Sequence, residues 1–62
     1  MKDTILVIDD DAEVRSMVAD VLEDEGYSVC QAENWETAKL ALQENIINLV
    51  FLHYPLFQVY LL

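Results

Sequence analysis

The chain has 62 residues, with 12 acidic and 3 basic side chains and a formal net charge of −9. A chain this short forms at most one domain and buries only about 60% of its extended surface, so cations or partner contacts would matter to its stability. The negative charge argues against direct binding to nucleic acid or to an anionic membrane, and it favours basic surfaces and divalent cations as partners.

Cysteine content and the start of the sequence indicate the cellular setting. The chain has one cysteine, Cys30, which excludes an internal disulfide. The first residues do not resemble a signal peptide, because Asp3 interrupts them and further acids follow closely. We therefore expect a cytoplasmic protein. Cys30 is either a reactive thiol or a small apolar filler within a strand, and the second role is the commoner one.

The most informative segment runs from residue 5 to residue 11, ILVIDDD, where four apolar residues lead directly into three carboxylates. The unalternated, β-branched run predicts a central strand that is covered on both faces. The acids then lie at its carboxyl end, where ligands bind in open α/β sheets. Adjacent carboxylates repel one another unless a cation or base neutralises them. We therefore interpret Asp9 and Asp10 as a cation site rather than as solvated acids, and Asp11 as a helix cap.

A helix is predicted from Ala12 to Glu25, followed by a left-handed cap at Gly26. Its apolar residues recur at spacings of three and four, which predicts one stripe that covers a face of the sheet. The members of this stripe are Val14, Met17, Val18, Val21 and Leu22.

The next segment, Tyr27–Ala32, alternates in the manner of a second strand, and Asn34 offers a cap for a helix from Trp35 to about Gln43. We expect Trp35 to be a partly buried packing residue rather than a platform for a ligand. The inward-facing side chains of this helix are predicted to be those of Ala38, Ala41 and Leu42. The alternating order indicates an α/β fold with a parallel sheet and right-handed crossovers.

The composition changes abruptly at Asn45. All 15 acidic and basic residues lie before this point, and His53 is the one histidine of the chain. The 17 residues from Ile46 approach the length of a membrane span, but polar residues and Pro55 interrupt them and no basic residue flanks them. We favour a buried third strand over Ile46–Leu52, with Pro55 preventing its simple continuation.

These features together resemble the amino-terminal half of a two-component response-regulator receiver domain, over roughly Lys2 to Leu52. The resemblance rests on ILVIDDD, on Val14-Arg15 and Val21-Leu22 of the first helix, on Glu25-Gly26-Tyr27 and on Leu49-Val50-Phe51-Leu52. The last of these segments is most similar to regulators of the NtrX type. It implies a truncated flavodoxin-like (CheY-like) βαβαβ unit.

The expected unit is a three-stranded parallel sheet in the order two, one, three, with two flanking helices. Residues 1–53 would form a partial receiver domain, and residues 54–62 an atypical apolar tail that packs as an added strand or a short helix. In a full receiver another strand pairs with strand three. We therefore expect its edge to be exposed here and to favour homo-oligomerisation or aggregation.

The resemblance also implies a switch in which a kinase histidine donates a phosphoryl group to an aspartate at the end of strand three. Asp9 and Asp10 match the acidic pocket that holds Mg²⁺, a cation that prefers oxygen ligands. The acceptor position is occupied by His53, which cannot form an acyl phosphate and which replaces an oxygen ligand by nitrogen. We therefore expect weak Mg²⁺ binding. For His53 three roles remain open: phosphorylation on nitrogen, pairing with Asp9 or Asp10, and no role.

Three functional hypotheses follow. The leading one is a degenerate, truncated receiver related to phosphorelay signalling, which is not an enzyme and is not phosphorylated on aspartate. The strands that carry the family's hydroxyl residue and lysine have no counterpart in the sequence. The second is a binding module whose first helix, with Arg15, docks a histidine kinase or a receiver partner and competes with the intact regulator. The third is a non-functional fragment that arose from a shifted reading frame or a truncated gene.

Overall fold

The computed structural model describes residues 3–53 and 57–62. The elements in chain order are β1 (Thr4–Asp9), α1 (Ala12–Asp24), β2 (Ser28–Ala32), α2 (Trp35–Glu44), β3 (Leu49–His53) and β4 (Phe57–Leu61). The strands form one sheet in the order β2-β1-β3-β4, in which β1 is parallel to β2 and β3, and β4 is antiparallel to β3. The α/β unit and the strand order two, one, three are confirmed, but the sheet is mixed rather than wholly parallel, because the tail adds β4 in antiparallel orientation.

The core is built around β1, which lies between β2 and β3. Its residues from Ile5 to Asp9 are all buried, as the unalternated apolar run predicts for a strand covered on both faces. Both helices pack against β1 and β2. On the α2 side the buried cluster consists of Leu6, Ile8, Ala32, Ala38, Ile47 and Val50. Cys30 is a half-buried free thiol packed against this cluster, in the position of an apolar filler.

The ends of α1 follow from local sequence. Asp11 caps the first turn, since its Oδ1 accepts the N–H groups of Glu13 (2.9 Å) and Val14 (3.2 Å). The helix ends at Asp24, one residue earlier than expected. Gly26 follows with a φ of 97° and donates its N–H to Glu23, while the Tyr27 N–H reaches back to Leu22. This is a Schellman motif, which needs a residue in the left-handed region at the position of Gly26.

The apolar stripe of α1 is only partly buried, contrary to expectation. Val14, Val18 and Leu22 are half-buried, and Ala19 is completely buried. Met17 and Val21 are 60% and 58% exposed. The strip of α1 that packs on β1 and β2 is therefore narrower than the five-residue stripe, and it includes the small residue Ala19.

Further differences lie around α2. The helix extends to Glu44, one residue beyond the expected end, and Asn34 caps it in a reciprocal capping box with Thr37. Ala38 is buried and Ala41 half-buried as expected, whereas Leu42 is exposed. Trp35 was expected to be a partly buried packing residue. It is the first residue of α2, and 59% of its surface is accessible to solvent. Tyr27 is also exposed and precedes β2.

The third strand begins at Leu49 rather than at Ile46 and extends to His53. Asn48 delays its start, because this residue exchanges hydrogen bonds with Thr4, the first residue of β1. The Asn48 N–H donates to the Thr4 carbonyl (2.9 Å), and its Oδ1 accepts the Thr4 N–H (2.8 Å). Ile46 is exposed, while Ile47 reaches the core as part of the loop.

The tail forms an added strand, as one of the two expectations had it. β4 covers the edge of β3, so the prediction of an exposed β3 edge is wrong, and the open edge on this side of the sheet is that of β4. Pro55 and its neighbours Tyr54 and Leu56 lie outside the described residues. In the described ranges there is no helix with the length and apolar character that crossing a membrane requires.

Candidate functional site

The candidate site lies at the carboxyl ends of β1 and β3. Asp9 is the last residue of β1 and His53 the last of β3, and the parallel register pairs these two positions. Their side chains meet, with 2.8 Å between His53 Nδ1 and Asp9 Oδ2. The structure therefore contains one of the contacts considered for His53, the pairing with Asp9.

The Asp9 carboxylate is almost fully enclosed, with 1% of the residue exposed, and both of its oxygens are engaged. Oδ1 accepts the Asp11 N–H (2.9 Å), which forms a local turn directly after the strand, and Oδ2 faces the imidazole. Burial by itself raises the pKa of Asp9. The hydrogen bonds from the Asp11 N–H and from His53, the charge of His53 and a smaller contribution of the Asp10 side chain outweigh burial and hold this pKa below its ordinary value of 3.8.

Because Asp9 is ionised, the hydrogen of its contact with His53 must come from the imidazole. A carboxylate is an acceptor only, so at 2.8 Å the hydrogen of this contact belongs to His53 Nδ1. The His53 side chain is 29% exposed, so one side of the ring contacts solvent while Nδ1 faces the buried acid. The pair thus places a hydrogen-bond donor and, when the ring is protonated, a positive charge directly on the buried carboxylate.

The other two acids of the cluster have separate roles. Asp10 is exposed, and it lines a groove of about 360 Å³ together with Ile8, Glu33, Asn34, Trp35 and Leu52. Asp11 serves as the α1 cap, as predicted, and its carboxylate is directed to the helix rather than to Asp9. Asp9 is therefore buried, Asp10 is exposed and Asp11 is engaged with the helix, although the Asp10 side chain still contributes to the low pKa of Asp9.

Arg15 is a residue of this site whose contacts the sequence reasoning did not predict. Its Nη1 donates to the Asp9 backbone carbonyl (2.8 Å), and its Nε donates to Gln31 Oε1 (3.3 Å). The guanidinium therefore links α1 to the carboxyl ends of β1 and β2. The signal was the spacing: Arg15 lies one helical turn after the Asp11 cap, which directs its side chain towards the end of the strand that precedes the helix.

The residues that the resemblance assigns to Mg²⁺ offer an incomplete donor set. No group of three or more metal-ligating side chains occurs among residues 3–53 and 57–62. Both Asp9 oxygens already accept hydrogen bonds, and the third position of the pocket presents an imidazole instead of a carboxylate. Because Mg²⁺ prefers oxygen ligands in octahedral geometry, this arrangement does not fit a tightly bound ion.

Comparison with known proteins relates the chain to a transcriptional regulator. It is 38% identical over 53 residues to the phosphate regulon transcriptional regulatory protein PhoB of Pseudomonas aeruginosa, a response regulator. The match covers 86% of this chain but 23% of that protein. No family model and no solved structure matches the chain. The sequence match, the βαβαβ order and the acidic end of β1 together make this chain similar to part of a response regulator, of which it spans about a quarter.

Proposed function

We propose that this chain is a degenerate receiver in phosphorelay signalling, which binds partners, has no catalytic activity of its own and is not phosphorylated on aspartate. The observation that carries this proposal is the contact between His53 and Asp9 at the carboxyl edge of the sheet. In the receivers that the chain resembles, that edge carries the acceptor aspartate and its cation. Here an imidazole occupies the acceptor position and contacts the acid that would hold the cation.

The chemistry of phosphoryl transfer supports the loss of aspartyl phosphorylation. An acyl phosphate forms when a carboxylate oxygen attacks phosphorus, and His53 has no such oxygen. The buried carboxylate nearby, Asp9, has both oxygens in hydrogen bonds and lies under an almost complete protein cover. Asp10 is exposed, but it directly follows the end of β1 and does not lie at the end of β3, where the acceptor is expected. Neither acid is therefore placed as a substitute acceptor.

Incubation with a small-molecule phosphoryl donor and Mg²⁺, followed by intact-mass measurement, tests this part of the proposal. We expect no phosphoryl adduct on the wild-type chain. The variant His53→Asn is the control that identifies nitrogen phosphorylation, because an adduct on histidine would disappear in it. An adduct that persists in His53→Asn and maps to an aspartate would refute the proposal.

Mg²⁺ binding is proposed to be weak because the cation has to compete with His53 for Asp9. The variant His53→Asp restores an oxygen donor at the end of β3 and removes the competing imidazole. We expect its Mg²⁺ dissociation constant, measured by calorimetry, to be at least about tenfold lower than that of the wild type, which is about 1.4 kcal/mol. Equal affinity of wild type, His53→Asp and His53→Asn would show that His53 does not control cation binding.

A second candidate function is a docking module for a histidine kinase or a receiver partner, which would compete with the intact regulator. The favouring observation is the second apolar row of α1, where Met17 and Val21 are exposed beside a shallow groove that also includes Ser16. A pull-down with a purified cognate kinase tests this function. Met17→Asp is the variant, and Leu40→Asp, at a similarly exposed apolar residue of α2, is the matched control.

Loss of binding in Met17→Asp alone would support docking through α1. Equal loss in both variants would indicate an effect of charge and refute this surface. A chain that binds no partner and does not unfold cooperatively would favour the remaining hypothesis, a non-functional gene fragment.

A further inference from the structure

We propose that two copies of this chain pair through β4 in antiparallel orientation, so that two four-stranded sheets form one continuous sheet of eight strands. The partner is a second copy of the chain, and the contact surface is the open edge of β4. This inference does not depend on phosphorylation or on Mg²⁺, because it rests on the backbone and the composition of β4.

The backbone of β4 supplies the first argument. The Leu62 N–H donates to the Asn48 carbonyl (3.0 Å), next to the last pair of the β3–β4 ladder, Leu49 with Leu61. Backbone groups alternate in direction along an antiparallel strand, so Val59 and Leu61 direct their N–H and C=O groups away from β3. An edge of this kind is a template for another strand. β4 contains none of the residues that natural edges use against such pairing, neither a charged residue nor a proline.

The second argument is the distribution of charge, which allows two acidic copies to meet at the edge of β4. Each copy carries a net charge of −9, and all of its acids and bases lie within the first 44 residues. Pairing at β4 separates the two β1 strands by five inter-strand steps, or about 24 Å, which is about three Debye lengths at physiological salt. The repulsion between copies is therefore small at this edge, where the sequence is uncharged.

The opposite edge of the sheet, formed by β2, is less suited to pairing with a second copy. β2 is covered on its two faces by α1 and α2, which both pack against it. Acidic residues flank it, with Glu25 before the strand and Glu33 after it. A second copy that approached β2 would bring these acids close to their equivalents. Of the two edges, that of β4 is therefore the one suited to self-association.

The outward backbone groups also specify a register. Two-fold pairing centred on Val59 brings Val59 of each copy opposite the other and places Leu61 opposite the Phe57 position of the second copy, so that outward-directed groups meet. The exposed side chains of Val59 and Leu61, the latter 82% accessible, then gain apolar neighbours across the junction.

Sedimentation equilibrium tests the proposal with two matched variants, Leu61→Lys and Leu40→Lys. Each replaces an exposed apolar residue by lysine and lowers the net negative charge by one, so a general effect of charge would be the same in both. We expect the wild type and Leu40→Lys to dimerise alike, and Leu61→Lys to raise the dimer dissociation constant at least about tenfold. Circular dichroism of both variants checks that the fold is retained.

Cross-linking provides a measurement that leaves the edge strand intact. In a Cys30→Ala background, Val59→Cys is expected to form a covalent dimer with a short bis-maleimide, and Leu40→Cys is expected to form none. A monomeric wild type at all concentrations, equal dissociation by the two lysine variants, or equal cross-linking at both cysteines would each overturn the proposal. So would assemblies larger than a dimer that persist in Leu61→Lys.

Discussion

Removal of the His53 imidazole should destabilise the fold through Asp9. In His53→Ala the buried Asp9 carboxylate keeps the hydrogen bond from the Asp11 N–H but loses the one at Oδ2. Loss of a hydrogen bond to a charged group costs about 1.5–3 kcal/mol. A wholly buried pair would cost more, about 3–5 kcal/mol, but the His53 side chain is 29% exposed, so water replaces part of the lost contact. We therefore expect a decrease of about 2 kcal/mol in the free energy of unfolding.

Urea unfolding followed by circular dichroism at neutral pH measures this change, with an unaltered m-value as the sign that the unfolded state is the same. The matched control is Asp10→Asn, which alters an exposed neighbour and should change stability by less than about 0.5 kcal/mol. A double-mutant cycle with Asp9→Asn should give a coupling energy of about 1 kcal/mol or more. If the two substitutions are instead additive, the Asp9–His53 contact does not contribute to stability and the reasoning fails.

Three further predictions concern pH and the helix ends. The pKa of Asp9 lies below 3.8 in the folded state, so the ionised carboxylate should contribute its full stabilisation above pH 3.8 and lose it as the pH falls through the folded pKa. Urea midpoints measured between pH 6 and 2 should show this loss of stability. The variant Asp9→Asn should lack it. Gly26→Ala should lower the melting temperature and cost about 1 kcal/mol, because alanine is strained at a φ of 97°. A clash with neighbouring atoms does not contribute, since none lies within 4 Å of the added Cβ. An unchanged melting temperature would exclude a strained backbone at Gly26. Asp11→Ala should cost about 1 kcal/mol in chemical denaturation through loss of the α1 cap, and Asp11→Asn should recover most of it. Equal losses in the two variants would argue against capping.

Most of the local structure could be predicted from short segments. The apolar run of β1 and the capping residues Asp11, Gly26 and Asn34 each depend on neighbouring residues, and the structure has them in the expected roles. The boundaries were less predictable where the deciding contact is distant. The start of β3 at Leu49 follows from the contact of Asn48 with Thr4, which lies 44 residues earlier in the chain.

Burial and pairing of the apolar residues could not be predicted in the same way. Periodicity assigned Met17 and Val21 to the covered stripe of α1, but how much of a stripe is buried depends on the width of the sheet beneath it. The tail was equally compatible with a strand or a helix. Its pairing with β3 was decided by the open edge that the parallel core presents, a feature that exists only once β1 and β3 have been brought together.

For the site, the sequence by itself determined that carboxylates follow a buried strand and that an imidazole replaces the expected acid after the third strand, because both facts are local. Only the tertiary structure decided that Asp9, rather than Asp10 or Asp11, is the partner of His53. Parallel pairing of β1 and β3 aligns their last residues, and the turn after β1 directs Asp10 to solvent and Asp11 to the helix. The contact between residues 9 and 53 depends on strand register, which no single segment of the chain encodes.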